Sequence, residues 1–250
     1  MPLHSHRLTA VILIVMRLVL FDIDGTLLWT DGAGRRAIHR ALLAEAGTAG
    51  PIDTYRFDGK TDPQIVRELL THAGHPDAAA PELIAAVCRS YVATLREELG
   101  RTPDGGGTHL LPGVAALLGA LESHESAGRA MVGLLTGNLK DGAELKLRAA
   151  GMEPGRFAVG AYGSDSGRRA ELPPIAAQRA AERTGRSFAG ADVVIIGDTP
   201  DDVACGRPIG ARSVAVATGY YDTAALEAAG AAHVFETLAD TSAVLDALLS

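Results

Sequence analysis

A chain of 250 residues with 47% hydrophobic and 21% charged side chains has the composition of an ordinary folded protein, long enough for one large α/β domain or for a core with a smaller insertion. Its net charge of −7 speaks against a nucleic-acid partner, whose phosphates need a basic face. Cys88 and Cys205, the two cysteines, stand outside any metal-ligand spacing, which excludes a disulfide framework or a zinc site and leaves both as small buried hydrophobes.

At the amino end, the apolar run Ala10 to Met16 behind His4, His6 and Arg7 looks like the opening of a signal peptide. Arg17 interrupts it, no small-residue cleavage site follows, and the run is too short to span a bilayer. Residues 1–15 are therefore read as an extension outside the native fold, either frayed or upstream of a start at Met16, and a cytoplasmic protein with no membrane partner is expected.

The first strong element is Leu18-Val19-Leu20-Phe21-Asp22-Ile23-Asp24-Gly25-Thr26-Leu27-Leu28. A β-rich apolar run that stops at two carboxylates reads as a buried strand delivering acids to its carboxyl end, where open α/β sheets keep their active sites. Burying two acids there costs several kcal/mol unless a cation or hydrogen bonds compensate. A helix over 32–46, closed by Gly47, comes next, and from 51 to 100 the pattern is helical without strand alternation. Helices are predicted at 62–73, opened by Asp62-Pro63, and at 81–99, opened by Pro81-Glu82. Residues 32–110 thus form a small helical insertion, and the glycines of 102–108 a hinge at its end.

Beyond residue 111 strands and helices alternate, as in a parallel sheet with crossover helices. The predicted order is helix 114–123, strand 130–135 ending in Thr136-Gly137-Asn138, helix 139–150, strand 157–161, helix 173–184 and strand 193–196, which ends in Gly197-Asp198-Thr199-Pro200-Asp201-Asp202. Helix 203–210, strands 213–217 and 233–235 and helix 241–249 complete the chain. The expected architecture is α/β, a Rossmann-like open parallel sheet with helices on both faces. Residues 16–31 and 111–250 form its core, with the helical cap inserted after the first strand.

Asp22 and Asp24, Thr136, and Asp198 with Asp202 all follow strands, so a parallel sheet brings them to one edge. Three carboxylates at one rim raise each other's pKa, and a hard divalent cation such as Mg²⁺ relieves them. Asp22-Ile23-Asp24-Gly25-Thr26-Leu27, Thr136-Gly137-Asn138, a basic residue before Leu172-Pro173-Pro174, and Gly197-Asp198 with Asp202 resemble the four ordered motifs of the haloacid dehalogenase superfamily. The helical insertion and Gly59-Lys60-Thr61-Asp62-Pro63 are similar to the cap and cap loop of its phosphoglycolate phosphatase and β-phosphoglucomutase branch.

The resemblance implies a Mg²⁺-dependent phosphomonoester hydrolase of a small soluble phosphorylated metabolite, working through an aspartyl phosphate. Asp22 is then the nucleophile. Asp24 is the general acid and then the base. Mg²⁺ falls to the side chains of Asp22 and Asp198 and the backbone carbonyl of Asp24. Thr136, with the amides of Gly137 and Asn138, takes the phosphoryl group. Asp202 orients a ligand or the basic residue. Most relatives carry Lys in the third motif; this chain offers Arg168 and Arg169, of which Arg169 falls at the better distance from the prolines and serves as the catalytic, phosphate-gripping cation. A phosphomutase of the β-phosphoglucomutase type, and a non-catalytic phospho-accepting switch or scaffold, are the alternative readings.

His39 and His72 are read as surface or packing residues, Glu227 and Asp240 as a solvated face. Trp29 and Thr30 are candidates for substrate contact; Lys60 and Asp62 either reach substrate or cap a helix, and for Asp62, before Pro63, capping alone is a sufficient explanation.

Overall fold

A computed structural model describes residues 15–101 and 107–250; the predicted extension, apart from residue 15, and most of the predicted hinge lie outside them. The chain enters through β1 (Arg17–Phe21) and the two-residue β2 (Leu28–Trp29), then passes into α1 (Ala33–Ala46), α2 (Asp62–His72) and α3 (Pro81–Leu99). It returns through β3 (His109–Leu110), which pairs antiparallel with β2 and gathers the two crossings to and from the helical segment into a ribbon. There follow α4 (Val114–Ser126), β4 (Ala130–Leu135), α5 (Lys140–Ala149), β5 (Val159–Ala161), α6 (Leu172–Thr184) and β6 (Val193–Gly197). The chain closes with α7 (Pro200–Cys205), β7 (Arg212–Val216), α8 (Thr223–Ala228), β8 (His233–Phe235) and α9 (Thr241–Leu249).

Six strands form one parallel sheet in the order β5-β4-β1-β6-β7-β8, so the first strand of the chain lies at its centre. Burial on both sides explains why β1 and β4 read as unbroken apolar runs. Side chains still alternate: Val19 and Phe21 pack into the cluster that contains Leu117 of α4 and Val244 of α9, while Leu18 and Leu20 pack with Ala176 and Ala180 of α6 on the opposite face. Helices α1 to α3 bury a cluster of their own, built on Ile38, Leu42, Leu69, Tyr91 and Leu95.

Two local readings are corrected and a third gains a role. The cap of α2 is Thr61, whose side chain accepts from the Gln64 amide at 3.3 Å; Asp62 is the first helical residue and its carboxylate is used elsewhere. Helix α7 begins at Pro200 and ends at Cys205, because Thr199 and Asp202 close a reciprocal capping box around its start. Asp240, exposed as expected, caps α9 by accepting from the Ala243 amide at 3.1 Å.

Candidate active site

Register fixes the geometry of the sheet edge. Phe21 of β1 stands level with Leu134 of β4 and Ile196 of β6, so the residues that leave these strands emerge together. The Asp22 amide still donates to the Ile196 carbonyl at 2.9 Å, continuing the ladder, and the turn behind it depends on Gly25. That residue has φ +79°, and a Cβ on it would overlap the Asp198 carboxylate.

Among the described residues, Asp22, Asp198 and Asp202 form a buried group in which one carboxylate oxygen of each lies within 4.8 Å of the others. Arg169 is buried beside them, its Nη2 3.2 Å from Asp22 and hydrogen-bonded to Asp202, with Nη1 3.4 Å from the Gly59 carbonyl. Arg168 is exposed and pairs with Glu171. Thr26 donates to Asp198 at 3.1 Å. Burial pushes the Asp22 carboxyl up to about 6 although Arg169 pulls it down, and burial with the charges of Asp202 and Asp22 holds Asp198 well above the usual carboxylate range.

With all three acids ionised, one guanidinium leaves two negative charges uncompensated in a buried site. An all-oxygen donor set with that deficit fits a hard dication such as Mg²⁺. Asp22 and Asp198 are the side chains free to hold it, because Asp202 is committed to Arg169 and to the Thr199 hydroxyl at 2.6 Å.

The Asp24 carboxylate turns away from that group. Its Oδ2 accepts from Asn138 Nδ2 at 2.7 Å, and both of its oxygens accept from Lys146 Nζ, at 2.8 and 2.7 Å. Lys146 also donates to Asn138 Oδ1 at 2.6 Å, and Asn138 Nδ2 reaches the Thr136 hydroxyl at 2.8 Å. Thr136 is fully buried at the end of β4, its amide donating to the Ala161 carbonyl at 3.0 Å. Sequence reasoning missed Lys146. The signal was a lysine on the stripe Gly142, Ala143, Lys146, Leu147, the buried face of α5.

The helical segment closes over this edge through main chain and through the Thr61 and Asp62 side chains. The Asp62 amide donates to the Gly137 carbonyl at 2.8 Å, and the Asp62 carboxylate accepts from the Leu139 amide at 2.8 Å. Thr61 donates to the Gly167 carbonyl at 3.0 Å. Gly137 has no room for a side chain, since a Cβ there would overlap the Lys60 carbonyl. Burial raises the Asp62 carboxyl to about 6, against the pull of Lys146.

Between the two layers lies a cavity of about 430 Å³ that Asp22, Asp24, Thr136, Asp198, Trp29 and Lys60 help to line. Lys60 is tied to Tyr55 at 2.6 Å and Glu68 at 2.7 Å, and Trp29 donates to the Thr218 carbonyl at 3.3 Å. Thr30 also lines the cavity and is buried. His39, His72 and Glu227 are exposed, and Cys88 and Cys205 are buried free thiols.

Residues 16–210 match the haloacid dehalogenase-like hydrolase family. The chain belongs to that family. This haloacid dehalogenase-like hydrolase shares its fold with a hydrolase from Pseudomonas syringae, at 23% identity and TM-score 0.70 over 94% of this chain and 99% of the other. CbbY from Rhodobacter sphaeroides in complex with phosphate aligns at 20% identity and TM-score 0.69, over 90% of this chain and 95% of that one. A predicted phosphoglycolate phosphatase from Haemophilus somnus aligns at 18% identity and TM-score 0.65, over 93% and 99%. At these identities the likeness is one of fold. None of the curated proteins matches this hydrolase sequence. Among its described residues no helix is long and apolar enough to cross a membrane.

Proposed function

We propose that this hydrolase cleaves the monophosphate ester of a small soluble metabolite, with Mg²⁺, through a phosphorylated Asp22. The observation that carries this reading is the gathering of Asp22, Asp198 and Asp202 around one guanidinium, with Asp24 facing the same cavity. Asp22 attacks phosphorus; the ester P–O bond breaks, and its electron pair goes to the leaving oxygen, which takes a proton from the Asp24 carboxyl. Asp24 then takes a proton from water as that water attacks the aspartyl phosphate, releasing inorganic phosphate and the Asp22 carboxylate. Asp22, Asp198 and the Asp24 carbonyl would hold the Mg²⁺, which would supply neutralisation of the charge that builds up in the step. Thr136 and the amides of Gly137 and Asn138 hold the phosphoryl oxygens, and Arg169 keeps Asp22 in place.

The helical segment acts as a cap that excludes water and selects the leaving group through residues such as Lys60 and Trp29. That segment is similar in kind to the one expected of the phosphoglycolate phosphatase branch, and the neighbours named for phosphate binding and phosphoglycolate hydrolysis support the same chemistry. The test is hydrolysis of p-nitrophenyl phosphate with Mg²⁺ and after treatment with EDTA. Turnover should fall at least about 100-fold on chelation; turnover indifferent to metal, or none at all, overturns the reading. Release of inorganic phosphate from a sugar phosphate, rather than its return to another carbon, separates hydrolase from mutase.

A further inference from the structure

Lys146 is a buried cation that the reaction as written does not use. Its ammonium has three N–H donors, and three acceptors are in reach: both Asp24 oxygens at 2.8 and 2.7 Å and Asn138 Oδ1 at 2.6 Å. No donor is left over, so Lys146 cannot grip a substrate phosphate or protonate a leaving oxygen without giving up one of these bonds. Asp24 in turn keeps about a third of its side chain exposed toward the cavity, while Lys146 and Asn138 hold it from behind. Gly34 of α1 lies beside this arrangement, an added Cβ there standing at ordinary contact distance, 3.6 Å from Lys146 Nζ and 3.8 Å from the Tyr91 hydroxyl of α3.

We infer that Lys146 is a positioning residue that fixes the Asp24 carboxylate in the one orientation from which it exchanges protons with the leaving oxygen and then with water. The inference rests on the acid–base role proposed for Asp24. Asn138 links the arrangement to the phosphate pocket, because the amide that donates to Asp24 also reaches Thr136. The Asp24 orientation and the phosphoryl site are thereby set by one connected group of side chains, and removing the ammonium strips Asp24 of two of its three bonds and leaves the buried Asn138 oxygen without its donor.

The leaving group provides the test. An alkyl phosphate needs its departing alkoxide protonated, whereas p-nitrophenolate leaves largely without help. In Lys146→Met, the single-turnover rate of leaving-group release, which isolates the first step from the water step common to all esters, should fall on the order of 10²-fold for an alkyl monophosphate, the scale of general acid catalysis, and less than about 5-fold for p-nitrophenyl phosphate, with both KM values within about 3-fold. Lys146→Arg, which keeps the charge and the donors, should recover at least about a tenth of the alkyl activity, and it carries the test if the Met variant does not fold: its loss must again be larger for the alkyl ester. Equal losses on both esters, a change confined to KM, or full alkyl activity in Lys146→Met overturns the inference. Wild-type protein inactive on both esters would instead sink the phosphatase reading itself, so the two failures are distinguishable.

Discussion

In one half of the site Asp22, Asp198 and Asp202 share a single guanidinium, whereas in the other half Asp24 meets its own ammonium and an amide. The first half sits at the ends of β1 and β6, is wholly buried, and carries an excess of negative charge. The second lies at the start and inner face of α5 and is balanced by its own side chains. The two halves are satisfied by different means. The acid half carries more negative charge than Arg169 compensates, and burial first, with the neighbouring carboxylates after it, raises the Asp22 and Asp198 carboxyls. The balanced half needs nothing further to hold its geometry.

The steepest loss is expected in the acid half. Asp22→Asn should lower turnover of p-nitrophenyl phosphate on the order of 10⁴-fold or more while circular dichroism shows an intact fold; residual activity within tenfold of wild type would remove Asp22 as nucleophile. Arg169→Met deletes the only cation in contact with these acids among the described residues. Urea unfolding without metal should show a loss of about 3–5 kcal/mol, part of which saturating Mg²⁺ restores by mass action. Lys146→Met should cost less stability than Arg169→Met, because Asp24 can turn its exposed third to water. If the order is reversed, the contrast between the halves is wrong.

A smaller effect concerns Asp62, whose carboxyl rises from the usual 3.8 to about 6 on burial. A group that binds its proton more tightly when folded makes the folded state take up protons between those values, so its contribution to stability is lost as pH rises through that window. Asp62→Asn should therefore flatten the decline in unfolding free energy between pH 4 and 6.5 by up to about 3 kcal/mol, read from urea denaturation across the range. An unchanged pH profile would mean that the Leu139 amide and Lys146 already compensate the charge.

The sheet and its acidic edge were legible in the sequence because each buried strand announces itself as an apolar run that ends in a polar residue. The β1, β4 and β6 segments show this, and their order along the chain was enough to predict convergence. What escaped was long-range or served two purposes at once. The β2–β3 ribbon joins two-residue strands about eighty residues apart, with no local pattern to reveal it. Helix α8 is only six residues long, too short for a periodic signal. The start of α7 was hidden because Asp202 reads as part of an acidic cluster, although its carboxylate also completes a helix cap. Lys146 reads as one more helical lysine until α5 is docked and its small-residue face turns inward. Asp62 was assigned to the cap, the place that Thr61 fills, because Asp before Pro is itself a capping signal, and only the fold shows its carboxylate reaching Leu139.

The bond from the Asp62 amide to the Gly137 carbonyl joins two stretches of backbone and asks nothing of any side chain but the absence of one at Gly137. Lys60, whose ammonium bonds back to Tyr55 and Glu68, is thereby released from the duty of seating the loop over the site, which Thr61 and Asp62 share with the backbone. Its side chain can be exchanged, and the shape of the cavity it lines can drift, while the acidic sheet edge stays registered beneath it.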